Sequence, residues 1–448
     1  MLRRSAAVMG REKAQGGRYE ARTPLSGMGD RFAMAQKRDF YDDLETRDPE
    51  RREKEQFAQI AAQIDHARRN APYFAKALDG IDGRDVADRA ALAKLPIIRK
   101  SDLLSLQPEA PPFGGLTAVG NGDLRRVYAS PGPIYDAEGY GNDVWHSARA
   151  LFAAGFRKGD VIHNCFSYHF TPAAFLVEGG AHAIGCAVFP AGIGQTEMQV
   201  AAIADIRPQG YVGTPSFLKI ILDKAVELGV KLDSLTRAAC GAEAFPPSLR
   251  AEIEGHGLDA YDFYGTADLG LIAYQSPAKE GMLIDEEVLV ELIDPATGQP
   301  AAAGETGEVV VTLLTNKAYP LIRFGTGDLS AILPGTSPCG RTGMRIKGWM
   351  GRADQTTKVR GMFVHALQVE RILERHAAVK KMRVVVTSRN NKDIMTVKCE
   401  IDGGDDALAA AIRETVQTVT KLRGDIEIVP PGQLPSDGKL IEDARSYD

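Results

Sequence analysis

The stretch Tyr319-Pro-Leu-Ile-Arg-Phe-Gly-Thr-Gly-Asp328 combines an apolar segment, two glycines and a carboxylate. The glycines allow a ligand to approach the backbone closely, and a carboxylate beside them can accept two hydrogen bonds from a ribose diol. The alternative interpretation is a Gly-Thr-Gly-Asp turn that closes a β-hairpin. Around the stretch, residues 288–292, 308–314 and 321–324 alternate like antiparallel strands, with glycines between them. This pattern predicts a β-rich subdomain.

Upstream of this subdomain, predicted strands alternate with predicted helices. Strands are predicted at residues 160–166, 187–190 and 210–213. Helices are predicted at residues 143–154, 171–184, 196–206 and 215–228, with Thr196 as an N-cap. Strands separated by single helices are typical of βαβ units, and they predict a mostly parallel sheet.

Downstream of residue 353 the pattern changes again. Helices are predicted at 367–376 and 406–422, and strands at 383–386, 395–401 and, last in the chain, 425–429. The fold class predicted is therefore α/β: a large N-terminal domain at 39–353 with mostly parallel sheets and the β-rich subdomain, plus a small mobile C-terminal α+β domain at 354–448. Residues 1–38 have few clustered apolar side chains, which predicts a disordered tail or a start codon assigned too early.

The composition excludes several classes of protein. The 448 residues are 44% hydrophobic and 25% charged, which is typical of a soluble multidomain protein. No apolar run is long enough to span a membrane, and the net charge of −5 argues against a general nucleic-acid binder. Five cysteines without a CxxC pair indicate a reducing cytoplasm rather than a disulfide framework. A cytoplasmic enzyme is therefore the leading interpretation.

Three further segments carry residue types suited to nucleotide chemistry. In Asp262-Phe-Tyr-Gly-Thr-Ala-Asp268, an aromatic ring could stack on a purine and the last carboxylate could hold Mg²⁺, with a strand end and turn as the alternative. The polar run Gly351-Arg-Ala-Asp-Gln-Thr-Thr-Lys-Val-Arg-Gly361 indicates an interdomain hinge at Asp354, or else a surface hairpin. In Pro435-Ser-Asp-Gly-Lys439, a lysine on a flexible loop can neutralise a phosphate, although alone it would be a solvated terminal residue.

The order of these segments resembles the adenylate-forming acyl-CoA synthetases, and more specifically the phenylacetate–CoA ligase family. The resemblance covers most of the chain from Tyr41 to Tyr447, with supporting runs at residues 41–45, 95–100, 111–115, 213–217 and 241–244. It implies a reaction in two steps. An acid carboxylate attacks the α-phosphorus of ATP, giving acyl-adenylate and pyrophosphate, and the thiolate of coenzyme A then displaces AMP.

The resemblance also implies roles for individual residues. Asp328 would bind the ribose with the help of Arg352, Lys439 would act in adenylation, and Asp268 would be the catalytic carboxylate associated with Mg²⁺. The other residues implied to contact ATP or AMP along these motifs are Gly241, Ala242, Glu243, Asp262, Phe263, Tyr264, Gly265 and Thr266. The hinge would be Asp354, and the loop facing coenzyme A would carry Lys358 and Gly361.

The phosphate-binding loop departs from the family pattern. At the corresponding place the sequence reads Tyr128-Ala-Ser-Pro-Gly-Pro-Ile-Tyr-Asp136, which has one serine, one glycine and no lysine. Its two prolines remove backbone donors that would otherwise cradle a phosphate. Ser130 and Gly132 remain as the predicted phosphate contacts.

The acid-binding pocket is predicted at the end of the strand near residue 166, because an aromatic side chain near this position lines the pocket in the family. The predicted pocket residues are Phe166, Tyr168, His169, Gly213, Thr214 and Pro215. A metal trio of His163, Cys165 and His169 is the alternative, but no fourth ligand is evident, and packing and substrate contact are preferred.

We therefore expect a ligase that uses ATP and Mg²⁺ to join an aryl or arylacetic acid to coenzyme A. Two alternatives stay open: an adenylating enzyme that passes the acyl group to a carrier protein or an amine, and a ligase-like binding protein with weakened ATP turnover. The expected partners are the small carboxylic acid, ATP and coenzyme A, without nucleic acid or membrane. The sequence leaves the choice between a monomer and a homodimer open.

Overall fold

The computed structural model describes residues 40–294, 297–302, 304–353, 356–360, 362–389, 392–436 and 439–445. The tail predicted at 1–38 lies outside these residues, as do Asp354 and Gly361.

Along the chain, helices, the short strand β1 and a β-hairpin come before the strands of the parallel sheet. These elements are α1 (Pro49–Asn70), α2 (Pro72–Ala77), α3 (Arg89–Leu92), β1 (Ile98–Arg99), α4 (Leu103–Glu109), β2 (Leu124–Ser130) and β3 (Ile134–Gly139). Helix α1 begins after Asp48, whose carboxylate accepts a hydrogen bond from the Arg51 amide. Its Phe57, Ile60 and Ile64 recur at helical spacing and are buried. This apolar face belongs to the same hydrophobic cluster as the β-rich part of the fold.

Twelve strands of the described chain form one large sheet, of which one part is parallel. Its strands, in the spatial order β5-β4-β6-β7-β8, are β4 (Val161–Asn164), β5 (Ala187–Phe189), β6 (Gly210–Gly213), β7 (Arg237–Cys240) and β8 (Asp259–Thr266). The helices around them are α5 (Ser147–Ala153), α6 (Ala173–Ile184), α7 (Thr196–Ile206), α8 (Pro215–Glu227) and α9 (Pro247–Glu254). The predicted βαβ pattern is confirmed. The N-cap of α7 is Gln195 rather than Thr196, because Thr196 already has helical geometry.

The rest of the large sheet is mainly antiparallel. It contains β9 (Gly270–Tyr274), β10 (Met282–Ile284), β11 (Val288–Ile293), β12 (Thr306–Leu313), β13 (Phe324–Leu333) and β14 (Arg345–Ile346). Strand order continues from β8 through β9, β10, β14, β13 and β12 to β11, and β1 pairs in parallel with β13. The predicted β-rich subdomain is thus confirmed as a continuation of the parallel sheet.

The alternative interpretation of Gly-Thr-Gly-Asp328 as a hairpin turn is wrong, because the segment lies inside β13. Between the pairs Glu308–Leu329 and Val310–Gly325, three residues of β13 face a single residue of β12. This β-bulge is possible because Gly327 has φ +75°, a left-handed conformation that glycine adopts readily. The bulge carries Asp328 out of the regular alternation of the strand.

Arg323, in the same stretch, has a structural role. It is buried, and its guanidinium forms two hydrogen bonds with the Glu291 carboxylate at 2.9 and 3.0 Å. It also donates to the backbone carbonyls of Ala93 and Leu95. These contacts tie β11 to the segment that leads into β1.

The C-terminal part of the chain has its own sheet and core. Its elements are β15 (Thr356–Val359), β16 (Met362–His365), α10 (Ala366–Glu374), β17 (Val379–Arg389), β18 (Lys392–Ile401), α11 (Asp406–Thr420), β19 (Asp425–Val429) and β20 (Ile441–Asp443). Four of these strands form a sheet in the order β19-β18-β17-β20. A hydrophobic cluster drawn from Val359 to Ile441 underlies it. The strand at 425–429 is therefore not the last, because β20 follows it. In the described residues, no helix is long and apolar enough to cross a membrane.

Candidate active site

The carboxyl ends of four parallel strands meet at one edge of the sheet, and predicted site residues occupy those ends. Phe166 follows β4, Gly213 ends β6, Gly241 follows β7, and residues 262–266 complete β8. The pairing register of β6, β7 and β8 places these positions side by side. Because ligands of open α/β sheets bind at this edge, the topology brings the predicted pocket and nucleotide residues together.

The Asp328 carboxylate, presented by the bulge, accepts three hydrogen bonds. The Tyr264 hydroxyl donates to Oδ2 at 2.9 Å, and Trp349 Nε1 and Arg352 Nη1 donate to Oδ1 at 3.0 and 2.9 Å. Burial, followed by the Asp328 charge, raises the pKa of Tyr264 far above its ordinary value, so its hydroxyl keeps the proton that it donates. A carboxylate offers about four acceptor positions, which leaves room for a ligand hydroxyl.

The turn formed by Gly241, Ala242 and Glu243 lies against the ring of Phe263. A Cβ atom on Gly241 would come within 2.8 Å of that ring, so only glycine fits there. Ala242 has φ +66°, a strained conformation of the kind that clusters at binding sites. The Glu243 carboxylate accepts a hydrogen bond from the amide of Ser216 at 3.0 Å. The turn is therefore held by β7, β8 and the start of α8.

The remaining β8 residues shape the strand end. Desolvation raises the pKa of Asp262 to about 7, although the Arg250 charge acts in the opposite direction. Gly265 lies where the pairing of β8 with β9 is irregular. The Thr266 hydroxyl accepts a hydrogen bond from the Leu269 amide at 3.2 Å, which stabilises the turn that carries Asp268.

A tight hairpin occupies the place of the predicted phosphate-binding loop. Ser130 at the end of β2 pairs directly with Ile134 at the start of β3, leaving a three-residue connection centred on Gly132. The Ser130 side chain is buried and donates to the Ile134 carbonyl at 3.3 Å, whereas Gly132 is exposed at the tip. Between residues 130 and 134 there is consequently no open run of backbone amides, and the phosphate contacts of Ser130 and Gly132 stay predictions.

Beside the hairpin lies a buried cluster of charged side chains, here called the Lys100 cluster: Lys100, Asp136 and Asp268. The Lys100 ammonium lies 2.7 Å from Asp268 Oδ2. Burial, and next the charge of Asp268, raise the pKa of Asp136 well above its usual range. Burial lowers the pKa of Lys100, but the charges of Asp268 and Asp136 outweigh it, so the net shift is upward and the ammonium form is favoured.

The carboxylates of this cluster have the chemistry that Mg²⁺ requires. In the described part of the chain, neither oxygen of Asp136 has a hydrogen-bond partner, nor does Asp268 Oδ1. Hard cations prefer such oxygens, and Mg²⁺ commonly takes one or two carboxylates together with substrate phosphates. Among the described residues, no group of three or more His, Cys, Asp or Glu side chains could hold a metal ion by itself.

Two of the predicted acid-pocket residues contact other aromatic rings. Phe166 is buried and meets Phe263 edge-on, with ring centroids 6.1 Å apart. Tyr168 is half-buried, and its hydroxyl accepts a hydrogen bond from the side-chain Nδ2 of Asn164 at 3.0 Å. Its ring lies edge-on to that of Phe175, with centroids 5.3 Å apart. The structure therefore brings Phe166 next to the nucleotide turn.

The other pocket candidates lie at the end of β6, at the start of α8 or at the surface. Thr214 and Pro215 connect β6 to α8, and the Tyr211 hydroxyl donates to the Thr214 carbonyl at 3.0 Å. The side chain of His169 is exposed. The role of each pocket residue stays a prediction.

His163 and Cys165 are packing residues. His163 Nε2 lies 2.6 Å from Gln199 Oε1, and its ring stacks on Phe189 with centroids 5.3 Å apart. Cys165 is also buried and contacts the same Gln199 oxygen. Because His169 is exposed, the three residues do not share one environment.

Four residues are predicted to act from a mobile C-terminal domain: Lys439, Lys358, Asp354 and Gly361. Lys439 is exposed and precedes β20 by two residues, and Lys358 lies on β15. Asp354 and Gly361 lie outside the described residues. The roles of these four residues stay predictions.

Comparison with known proteins points to the acid–CoA ligases that form an acyl-adenylate. Residues 142–313 match the family model described as AMP-binding enzyme. The structure is similar to that of a 2-hydroxyisobutyryl-CoA ligase in complex with its acyl-AMP and CoA, with a TM-score of 0.77 and 22% sequence identity over 90% of this chain and 92% of that chain. An open conformation of the same ligase gives a TM-score of 0.67 over 89% of this chain and 93% of that chain, with 22% identity.

Curated relatives identify the family within this class. The phenylacetate–coenzyme A ligase of Aromatoleum evansii is 30% identical over 402 residues, which are 84% of this chain and 90% of the relative. That of Thermus thermophilus is 30% identical over 90% of this chain and 98% of the relative. The chain therefore belongs to the phenylacetate–CoA ligase family, the AMP-forming acid–CoA ligases that use ATP, coenzyme A and Mg²⁺.

Proposed function

We propose that this chain activates an aryl or arylacetic acid with ATP and transfers the acyl group to coenzyme A. The observation that carries the proposal is the Asp328 carboxylate, held by Tyr264, Trp349 and Arg352 at the sheet edge where Phe166 and Phe263 also lie. Flat aromatic walls suit a planar acid, because aromatic rings pair edge-on or offset at these separations. The four phenylacetate–CoA ligases among the relatives support the same substrate class.

In the proposed nucleotide pose, Asp328 accepts hydrogen bonds from the ribose hydroxyls, and Arg352 fixes the orientation of the carboxylate. The adenine lies between Tyr264 and the turn that begins at Gly241. This turn is pinned by the contact of Glu243 with Ser216, so the purine meets a rigid wall. Preorganisation of this kind reduces the ordering cost of binding.

The proposed chemistry has two steps. A carboxylate oxygen of the acid attacks the α-phosphorus, the bond to the bridging oxygen breaks, and pyrophosphate leaves. Lys439 stabilises the negative charge that develops there, because preorganised cations lower such barriers. When bound, Mg²⁺ supplies further charge neutralisation at the phosphates, and Asp268 is the residue that would hold it. The thiolate of coenzyme A then attacks the acyl carbon and AMP leaves.

The proposed domain organisation separates these steps. Residues 354–448 form the mobile domain, for which the separate sheet and hydrophobic cluster of that region are the support. Lys439 would face the nucleotide during adenylation. Rotation about Asp354 would then bring the loop at Lys358 and Gly361 to the adenylate for thioester formation.

A panel of acids, assayed for pyrophosphate release with and without coenzyme A, tests the proposal. Phenylacetate and benzoate derivatives should release pyrophosphate, and coenzyme A should convert a slow or single turnover into a steady rate. Short aliphatic acids serve as the control class. Steady pyrophosphate release that requires an amine or a carrier protein, and not coenzyme A, would favour an enzyme that passes the acyl group to that acceptor. No pyrophosphate release with any acid would favour a ligase-like binding protein.

The proposed setting is the cytoplasm. The cysteines of the described chain, Cys165, Cys186, Cys240, Cys339 and Cys399, are all free. Free buried thiols are typical of reducing compartments. Sedimentation of the purified protein would distinguish a monomer from a homodimer. The absence of nucleic-acid and membrane partners stays a prediction.

A further inference from the structure

Asp136 is buried in a way that demands an explanation. Its side chain is 0% exposed, and neither carboxylate oxygen has a hydrogen-bond partner in the described residues. Asp268 is also 0% exposed, and its Oδ1 has no hydrogen-bond partner in the part of the chain that the structure describes. The hydroxyl of the buried Tyr319 has no partner there either. Native proteins pair nearly all buried polar atoms, because an unpaired one is costly. The three unpaired carboxylate oxygens of the Lys100 cluster therefore point to a ligand.

The charges of the cluster indicate the sign of this ligand. Two carboxylates face one ammonium, so ionisation of both carboxylates leaves one negative charge uncompensated by Lys100. The Lys100 side chain is 22% exposed, whereas its partner Asp268 is fully buried. The exposed part of the Lys100 side chain marks the side from which a cation would enter, and a cation that binds Asp268 Oδ2 would have to replace the ammonium there.

We propose that Asp136 and Asp268 together bind the divalent cation that accompanies ATP, and that Lys100 occupies the place of this cation in the nucleotide-free protein. When the cation enters, the displaced Lys100 ammonium turns to the nucleotide phosphates. This inference rests on the proposed function for the identity of the nucleotide, but its metal ligands are properties of the chain alone.

The local architecture explains why such an exchange is needed here. The hairpin between Ser130 and Ile134 supplies neither a lysine nor an open run of amides for the phosphates. Strand β1 pairs with β13 through Arg99 and Gly325, which places Lys100 beside the site from a different part of the chain. A lysine delivered by β1 thus compensates for the one that the hairpin lacks, and Asp136 lies on the strand that leaves the hairpin.

The competing explanation is a ligand-free pair of carboxyl groups that share one proton, since two adjacent carboxylates do not readily ionise together. It predicts no metal uptake that depends on Asp136. The two explanations therefore differ in the affinity of the protein for a divalent cation, which can be measured without any acid substrate.

The experiment titrates Mn²⁺ into the full-length protein and follows free Mn²⁺ by electron paramagnetic resonance, first alone and then with a non-hydrolysable ATP analogue. Asp136→Asn should weaken Mn²⁺ binding at least ~10-fold, the low end of what loss of one supporting metal contact costs. Lys100→Met should tighten the binding of Mn²⁺ alone, because the competing ammonium is gone. The same variant should weaken binding of the analogue, because a phosphate partner is lost.

Glu138→Gln is the matched control. Glu138 is a buried carboxylate on the same strand as Asp136, but it pairs with Arg126 and Tyr128. The Glu138→Gln variant should leave the Mn²⁺ affinity unchanged. Circular dichroism should show that all variants are folded. Should Asp136→Asn misfold, Asp136→Glu replaces it and should retain binding, since it keeps the ligand oxygens.

Three results would overturn the inference: wild-type protein that takes up no Mn²⁺ in either condition, Mn²⁺ affinity in Asp136→Asn equal to wild type, or Mn²⁺ affinity in Lys100→Met no tighter than wild type. The failure of the proposed function is distinguishable from these. If no acid releases pyrophosphate while the Mn²⁺ pattern holds, the substrate assignment fails and the metal site stands.

Discussion

The hydroxyl of Tyr264 donates a hydrogen bond to the carboxylate of Asp328 across 2.9 Å, although 64 positions of sequence separate the two residues. The contact joins the end of the parallel part of the sheet, at β8, to the bulge of the antiparallel part, at β13. Arg352 completes the junction from the segment that leads into the C-terminal domain. The Asp328 carboxylate therefore binds side chains from three parts of the fold at the proposed nucleotide site. Its substitution should affect nucleotide binding more than acid binding.

Replacement of Asp328 by alanine should raise the KM for ATP strongly. A charged hydrogen bond contributes about 1.5–3 kcal/mol, so the loss of one ribose contact alone corresponds to roughly a 10- to 100-fold change. Initial rates of pyrophosphate release against ATP concentration measure this effect, with saturating acid. ATP affinity equal to that of the wild type would refute the ribose assignment.

Tyr264→Phe should produce a smaller change in the same direction. The substitution keeps the ring that would stack on adenine and removes only the hydroxyl that orients Asp328, so KM for ATP should rise several-fold. Tyr261→Phe is the matched control, since Tyr261 lies on the same strand and gives its hydroxyl to Asp259 instead. If both variants raised the KM for ATP equally, the effect would come from a change in the strand and not from loss of the contact with Asp328.

Much of this fold follows from sequence patterns. Alternating strands and helices between 160 and 228 predict the parallel sheet, because single helices between short strands leave few other connections. The order of Tyr264, Asp328 and Arg352 along the chain also predicts that they share a site. The bulge was not predicted, because glycines within β13 resemble a turn when only local sequence is considered.

The site residues that the sequence reasoning missed arrive through non-local pairing. Lys100 lies in a run that resembles the family, yet only the pairing of β1 with β13 places it at Asp268. Trp349 reaches Asp328 from a loop, with no signal in its neighbours. Asp136 carried one available clue: it lies two residues after Ile134 and so shares a strand face with an apolar side chain, where a carboxylate needs a partner.

Asp262 should make stability depend on pH. Desolvation raises its pKa in the folded protein to about 7, well above the usual value of an unfolded aspartate near 3.8. Between these values the folded state holds a proton that the unfolded state has released, so this residue lowers stability as pH rises from about 4 to about 7. Asp262→Asn should therefore gain stability relative to the wild type at pH 8 but not at pH 4. Thermal melts at both values check this, and an identical difference at both would contradict it.

The acid pocket should respond to substitutions at Phe166, Tyr168 and His169. Removal of the Phe166 or Tyr168 ring should change the ratio of kcat/KM between phenylacetate and benzoate derivatives, with little change in KM for ATP. Phe166 lies edge-on to Phe263 at the sheet edge, and Tyr168, two residues further along, lies edge-on to Phe175. His169→Ala should also alter acid preference if the acid reaches the exposed end of this loop. A fixed acid profile combined with collapsed ATP binding would show that the pocket has been misplaced.

Lys439→Ala should separate the two half-reactions. The lysine precedes β20 on an exposed loop of the C-terminal part, so it can reach the nucleotide only when that part docks over the sheet edge. Loss of one electrostatic stabiliser of the transition state typically costs ~10²-fold or more in rate, and adenylation should slow by at least that amount. The reaction of coenzyme A with synthetic acyl-adenylate should remain nearly intact, because the proposed cycle assigns this step to a different pose of the C-terminal domain.

The comparison variant for this step is Asp354→Pro, which should stiffen the hinge and impair thioester formation more than pyrophosphate release. Lys380→Ala is the control, since Lys380 is an exposed lysine of the same domain that pairs with Asp402 at 3.2 Å. Each variant is given synthetic acyl-adenylate, and the thioester is followed over time. If Lys439→Ala slows this step as much as it slows adenylation, the division of roles between Lys439 and the hinge is wrong.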